Sequence, residues 1–514
     1  MSGSGSGEGD PAGFSASRER FDSVIAFLDG ATGAALSHAE MEERLTVQGR
    51  DLLRQLYQDH LDLRAEREGR VDVVEVGGAA RARVEPGHRR ALQTIFGVVQ
   101  VHRLAYRAAG QANLYPVDGE LNLPVERHSH GLRQMAAVEA GRGSFEEAVA
   151  AIDRSSGQQL GKRQVEGLAG RAAADFDDFY TCHKPPPTAE DSDVLVVQVD
   201  GKGIVMRPDA LRPATARAAD KATPKLAGRL SKGEKGNRKR VAEVGAVHDC
   251  TPVVRTVADI LPATDAEREH ARAGPTAASK WLTASVVEDA ATVVAQVFDE
   301  AQRRDPTHAR RWVALVDGAN HQLDRIEAEA KARKVNVFVL IDVIHVLEYL
   351  WKAVWCFYPE GDPHAETWVH DKARAVLAGR ATGVAGAIRR TATNRGLDKA
   401  ARKGADVCSR YLTNKARYLD YPTALANGWP IATGVIEGAC RHLVKDRLDL
   451  TGARWGLQGA EAVLKLRAIR CNGDWDTYWT YHLAQERRRV HESRYADNII
   501  PRAAWTPSKG AAPP

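Results

Sequence analysis

Val194-Leu-Val-Val-Gln-Val-Asp200-Gly-Lys-Gly-Ile-Val-Met206 decides how the rest of the chain is read. Six residues of strand-forming composition run straight into Asp200, and glycines follow at 201 and 203. A carboxylate at the end of a buried strand is costly unless a metal ion or a hydrogen-bond donor neutralises it. The pattern returns at Arg311-Trp-Val-Ala-Leu-Val-Asp317-Gly318, and a third carboxylate, Glu437, stands in Gly434-Val-Ile-Glu437-Gly438. Either Asp-Gly pair alone reads as a strand ending in a turn. Two of them in compatible order, with a later Glu on a helix, point instead to three acids meeting around metal ions.

Outward from this stretch the order is strand, basic loop, strand (Val241–His248), strand (Pro252–Ile260), helix (279–304), strand (311–317), helix (321–334) and strand (335–341). Short connections let the first three strands pair antiparallel, whereas helical crossovers make the later ones parallel. This is the order of a ribonuclease-H-like fold, in which the strands of Asp200 and Asp317 are sheet neighbours. A helical, aromatic run follows Asp342-Val-Ile-His345, and a largely helical block extends to about 430. Thr433 to Leu448 then reads as the helix that carries Glu437, with Ile436, Cys440, Leu443 and Val444 for its buried side. Ala460 to Ile469 reads as a further helix.

Upstream, residues 16–68 carry apolar residues at helical spacing, while Val71–Val76 and Ile95–Leu104 read as strands, with a turn at Gly77-Gly78. Residues 126–180 return to helix. Phe145–Ile152, a turn at Ser155-Ser-Gly157 and Lys162–Arg171 have helix-turn-helix proportions. Lys162, Arg163 and Gln164 open its second helix, the end that reaches base edges or phosphates; a plain helical hairpin with a basic second helix reads the same. Pro185-Pro-Pro187 marks a boundary, and the chain after about 485 reads as a poorly ordered tail.

The expected architecture is therefore multidomain, α+β with α/β. It runs as a tail (1–15), an N-terminal helical region (16–70), a small β-rich module (71–125), a helical DNA-binding region (126–184), a catalytic core (190–358), an all-helical insertion (359–431), closing helices (432–484) and a C-terminal tail (485–514).

The 514 residues are 43% hydrophobic and 27% charged, ordinary values for a globular protein. No run approaches the roughly 18 apolar residues of a membrane span. The Gly/Ser-rich start has no secretion signal. Six scattered cysteines without a C-x-x-C pair argue against a zinc ribbon or a disulfide framework and fit a reducing cytoplasm. Net charge is only +5, yet Arg207 to Arg240 holds eleven Lys/Arg against three acids. That surplus suits a polyanionic partner, and equally a solvated linker. Because it leaves from beside Asp200, it reads as a DNA clamp, with Lys202, Arg238, Lys239 and Arg240 as DNA contacts. Arg441, Lys445, Arg447 and Arg454 join them, since Glu437 places them beside the scissile phosphate.

The residues Val-Asp200-Gly, Val-Asp317-Gly-Ala-Asn, Asp342-Val-Ile-His345, Gly434-Val-Ile-Glu437-Gly-Ala-Cys-Arg-His-Leu-Val-Lys-Asp-Arg447 and Gly452-Ala-Arg-Trp455-Gly resemble a bacterial insertion-sequence transposase of the DDE class, ISKra group, related to Mutator- and ISL-type enzymes. Leu92 to Tyr106 and Leu121-Asn-Leu-Pro124 fit as well, so the resemblance covers roughly 85–470. It implies a ribonuclease-H-like catalytic core interrupted by an all-helical insertion. Asp200, Asp317 and Glu437 map onto the metal-binding triad, and Asp342 and His345 onto a (Cys/Asp)-x-x-His signature near the active site. His345 also reads as a core histidine of an amphipathic helix.

Two Asp and one Glu suit two Mg²⁺ (or Mn²⁺) ions, which about 4 Å apart drive phosphoryl transfer. No zinc is expected, because no cysteine precedes Cys182. The implied partner is double-stranded DNA, at element ends and at the target, bound by a homodimer or larger assembly in the cytoplasm at the nucleoid. A stand-alone nuclease or resolvase, and a catalytically silent DNA-binding regulator, are the competing expectations.

Overall fold

The structure is a computed structural model that describes residues 12–190, 192–221, 238–450 and 452–502. It divides into two compact units, one Asp178–Asp474 and the other the residues up to Asp177 together with those from Trp475 onward. Among the described residues no helix is long and apolar enough to cross a membrane.

The discontinuous unit opens with the helices Ser15–Asp29 and His38–Glu66, the second started by a Ser37/Glu40 capping box. An antiparallel hairpin follows, β1 (Arg83–Thr94) and β2 (Gly97–Arg107), turning at 95–96. Here the expectation needs correction. Val71–Val76 makes only isolated bridges, and the strand that pairs with β2 is Arg83–Thr94. The helical signal in Leu61 and the hairpin signal in Leu92, Val99 and Val101 meet in one small core with Leu123.

Three helices complete the N-terminal part, His130–Arg142, Phe145–Ser156 and Lys162–Ala172. Gly157 ends the middle one at φ +68°, a left-handed cap that glycine adopts at least cost. The expected helix-turn-helix proportions are therefore present. The tail expectation fails. Trp475–Val490 is a helix, and Tyr495 and Ile500 are buried against Val73, Tyr106 and Leu114. Residues 475–502 belong to this unit and not to the closing helices of the sheet, and 503–514 lie outside the described residues.

A buried ionic network explains how that helix is held. Arg133, 0% exposed, donates to Glu126 Oε1 (2.7 Å), Glu486 Oε1 (2.9 Å) and His482 Nε2 (3.1 Å). With Nε2 accepting, Nδ1 of His482 is left to donate to Asp175 Oδ2 at 2.7 Å. Arg489 closes the network, bonding both Asp175 and Glu486.

The Asp178–Asp474 unit is built on a mixed sheet of β3 (Val194–Val205), β4 (Lys239–Cys250), β5 (Ala277–Ser285), β6 (Trp312–Val316) and β7 (Val337–Ile341), in the order β5-β4-β3-β6-β7. β3 and β5 flank β4 antiparallel, while β6 and β7 continue parallel to β3. This mixed order is compatible with the ribonuclease-H-like expectation. One strand was misplaced: Pro252–Ile260 is loop ending in a helical turn at Val257–Ile260, and the third strand is Ala277–Ser285, overlapping the start of the stretch read as helix.

One sheet face carries the helices Ala290–Arg304 and Asn320–Arg333. Gly245 of β4 shows how closely the first lies, because a Cβ there would run into Val297. The expected helical block consists of Pro363–Leu377, Ala381–Asn394, Lys403–Asn414 and Tyr421–Ala426. The Tyr421 hydroxyl donates to the Ile341 carbonyl at 2.9 Å, tying this block to the end of β7.

Candidate active site

Strand register brings two of the predicted acids level. β3 pairs with β6 through Leu195↔Trp312 to Gln198↔Leu315. Asp200 and Asp317 each lie two residues beyond the last of these pairs. Continued by two residues, that register puts Asp200, inside β3, level with Asp317, the first residue past the end of β6, on strands that neighbour each other at about 4.8 Å. Both are half-buried. Asp317 Oδ1 accepts from the Ala319 amide at 2.8 Å, which shapes the turn out of β6. Gly318 sits in that turn at φ +89°, where a Cβ would meet Ile341 at 2.9 Å and the Tyr411 hydroxyl at 3.1 Å.

Glu437 arrives from a different direction. Its helix, Gly434–Ala439, continues into a π-helical segment, Cys440–Lys445, and a last turn, Asp446–Leu448. Ile436, Cys440, Leu443 and Val444 are buried as expected. Two contacts fix this segment on the Asp200 face of β3. The Ile436 amide donates to Gln198 Oε1 at 2.9 Å, and the Cys440 thiol lies 3.3 Å from Asp200 Oδ2 as donor. Burial, then the neighbouring Asp200 carboxylate, push the Cys440 thiol well above its ordinary value, so it stays protonated and able to donate. Glu437 is exposed, one turn before Cys440.

The three acids are not closed into a cage. Among the described residues no group of three or more His, Cys, Asp or Glu stands ready to hold a metal ion. The donor chemistry nevertheless fits a hard divalent cation. Mg²⁺ keeps several waters and binds through one or two carboxylates plus substrate phosphates, rather than in an all-protein cage. Asp200 and Asp317 would supply those carboxylates, and Glu437 would join by side-chain movement. The set is equally ill suited to zinc, which prefers nitrogen and sulfur in a closed tetrahedron.

Asp342 has another task. It is fully buried and its acceptors are in use: Oδ1 takes the Ile344 amide at 2.7 Å, and Oδ2 takes the Thr433 amide at 2.9 Å and the Thr433 hydroxyl. It caps the Val343–Val354 helix and pins the residue that precedes the Glu437 helix. The catalytic role expected for it is thus replaced by a positioning one. Asp342→Ala orphans two amides and a hydroxyl, and is expected to cost about 3 kcal/mol of stability in urea unfolding. A loss under about 1 kcal/mol would remove the tether from the account. His345, on the same helix, is about a third exposed and 3.6 Å from Glu348, so it is not a core histidine.

The predicted DNA contacts separate by exposure. Arg163, Lys445 and Arg454 are exposed, and Arg441 is exposed beside Asp446. Lys162 forms an exposed pair with Glu146, and Gln164 caps its helix by accepting from the Gly161 amide. Lys202 is half-buried near Cys440. Lys239 pairs with Asp449 at 2.7 Å, and Arg238 is half-buried. Two expectations are corrected. Arg240 directs its guanidinium at the carbonyls of Val286, Ala210 and Val287. Arg447 is 3% exposed with its guanidinium 4.6 Å from the centre of the Trp455 ring. Neither is placed to meet a phosphate. Of the expected Arg207–Arg240 clamp, residues 222–237 lie outside the described residues.

Sequence reasoning passed over four residues that shape the site: Gln198, Thr433, Cys440 as a partner of Asp200, and Tyr411, whose hydroxyl is 3.3 Å from the Asp317 carbonyl. A polar Gln inside an otherwise apolar strand was the one legible signal among them. No protein-family model and no curated protein matches the chain.

Proposed function

We propose that the chain is a DDE-class DNA transposase with a ribonuclease-H-like core, of the insertion-sequence kind that its motifs resemble. It binds the terminal inverted repeats of its element as a dimer or larger assembly, cuts at the ends and joins the 3′-hydroxyls to target DNA in the cytoplasm. The observation that carries this reading is the level placement of Asp200 and Asp317 on adjacent parallel strands, with the Glu437 segment anchored on the same face.

Mg²⁺ or Mn²⁺, when bound, would activate the attacking oxygen and stabilise the leaving one. The chain's own part is to hold one carboxylate inside β3 and one just past the end of β6, on paired strands whose backbones cannot drift apart, and to deliver Glu437 beside them.

The test uses the full chain and DNA ends taken from the sequence flanking its gene. Divalent-ion-dependent nicking at those ends, and joining of precut ends to a plasmid, is the expected result. Hydrolysis without joining would make it a nuclease or resolvase. The open arrangement of the three acids favours a second reading, a DNA-binding regulator without chemistry. End binding with no cleavage in either ion would establish that one.

Salt dependence sorts the basic residues. Arg441→Ala, Lys445→Ala and Arg454→Ala should each lower the slope of log K against log salt by about 1. Arg447→Ala should leave the slope alone and lower stability instead. An unchanged slope for all three exposed variants would take this surface out of the DNA path.

A further inference from the structure

We propose that two copies of the chain pack against each other, head to tail, through the paired helices Ser15–Asp29 and His38–Glu66. The inference deepens the assembly in the reading above and rests on it for the need to bring two copies together. The two helices run antiparallel within one copy. Ser17 Oγ donates to Asp59 Oδ2 at 2.6 Å near one end, and Arg20 pairs with Asp51 further along. At the other end the Arg44 guanidinium lies 5.2 Å from the centre of the Phe27 ring. The longer helix turns another side to the hairpin. There Leu61 joins the hairpin core, Tyr57 packs against it, and Gln58 exchanges hydrogen bonds with the Gln100 backbone.

A third side, used by neither contact, is apolar. Phe21, Ile25 and Leu28 form one stripe on the first helix and are 52%, 48% and 38% exposed. Leu45, Leu53 and Leu56 form a stripe on the second and are 38%, 46% and 39% exposed. Each stripe is offset, in the same rotational sense, from the residues that face the other helix. On antiparallel helices that offset puts both stripes on one side of the pair. At roughly 200 Å² for a whole residue of this size, the six leave about 500 Å² open on each copy. Two copies would close about 1,000 Å² with these residues alone, the area at which an interface becomes specific, and flanking side chains add to it. Gly49 stands within the second stripe, four residues from both Leu45 and Leu53. Glycine weakens a helix interior, and a Cβ here would meet no described atom within 4 Å, so packing inside one copy gives no reason for it. A second helix crossing closely at this point does.

Charge selects the occupant and its direction. Asp29 is the last residue of the first helix, where the macrodipole disfavours a negative charge, and exposed Glu42 flanks the same end of the apolar side. Arg18 flanks the opposite end and is exposed. A two-fold axis in this face can lie along the helices or across them. Only the second sets Asp29 and Glu42 of one copy against Arg18 of the other, and it does so twice. The result is an antiparallel four-helix bundle with an apolar centre and an ion pair at each end.

The experiment is analytical ultracentrifugation of the full chain without DNA, from nanomolar to tens of micromolar. A reversible monomer–dimer equilibrium is expected. Ile25→Asp/Leu53→Asp should raise the dimer Kd about a hundredfold or more, as charges placed at the centre of an interface do. Both positions are exposed, so the monomer should keep its circular dichroism spectrum and Tm. Gly49→Gln, which adds bulk at the crossing point, should weaken the dimer likewise, and it decides the matter if the double variant fails to fold. Asp29→Arg should weaken the dimer, and Arg18→Glu/Asp29→Arg should restore it. A chain that stays monomeric throughout, or a dimer unchanged by the apolar-face and Gly49 variants, would overturn the proposal. A dimer that answers to those variants but not to the charge swap would overturn the head-to-tail arrangement. A monomer that still cuts and joins end DNA removes only this inference, whereas such a dimer in a chain that cleaves nothing removes only the transposase reading.

Discussion

Asp200→Asn should abolish divalent-ion-dependent cleavage and joining while leaving end binding intact. The substitution keeps size and one acceptor oxygen but removes the charge that β3 contributes. Losing such a charge from a phosphoryl-transfer centre is expected to lower the rate on the order of a thousandfold, comparable to about 4 kcal/mol of transition-state stabilisation. Folding should survive, because the single Asn oxygen still accepts from the Gly201 amide and only the weak bond from the Cys440 thiol is lost. Gel-shift affinity and single-turnover cleavage, measured on the same preparation, separate the two effects. Retained cleavage would take Asp200 out of the chemistry, and with it the argument from strand register.

The largest stability effect is expected from Arg133→Met. That change removes one cation and leaves Glu126 and Glu486 buried without it, which costs roughly 3–5 kcal/mol. Limited proteolysis should then release fragments from residues 12–177 while 178–474 persists, and a cost under about 1 kcal/mol would show that the network is decorative. The pH dependence has a definite sign. Burial works to raise Glu486, but its hydrogen bond and charge pairing with Arg133, helped by Arg489 and His482, outweigh it and leave the carboxyl below its ordinary value. Asp175 is likewise lowered, burial being overcome by His482 and Arg489. Groups with depressed values stabilise the fold above their unfolded pKa, and that contribution is lost as pH falls through the folded one. The unit should therefore hold its stability down to about pH 4 and lose it below, whereas Arg133→Met should have lost much of that dependence.

What could be read from sequence followed burial. β6 and the first half of β3, apolar but for Gln198, are fully buried, so they announced themselves, and each runs straight into its acid. β5 did not, because Ala277-Ala-Ser-Lys-Trp-Leu-Thr-Ala-Ser285 is rich in small and polar residues and lies at a sheet edge, where half its backbone needs no partner. Pro252–Ile260 misled through its valines, although Pro at its start already weakened a paired strand. β1 was hidden by Pro86-Gly87, which make a bulge between Glu85 and His88, and by its arginines. At the site, Asp200 and Asp317 were legible as residues and as neighbours. The roles of Asp342, Arg240 and Arg447 were not, since a carboxylate or a guanidinium looks the same in sequence whether it meets DNA or the protein's own backbone.

The helix Trp475–Val490 has a consequence for how the protein is made. A ribosome releases residues 12–177 early, yet their core is finished only by a segment that follows the sheet unit in the sequence. At about 5–20 residues per second, the 297 residues from 178 to 474 impose a wait of roughly 15–60 s. During synthesis the later unit can thus close before the earlier one, the reverse of the usual N-terminal-first order. A nascent chain would carry a completed five-stranded sheet before the unit that precedes it in the chain was whole.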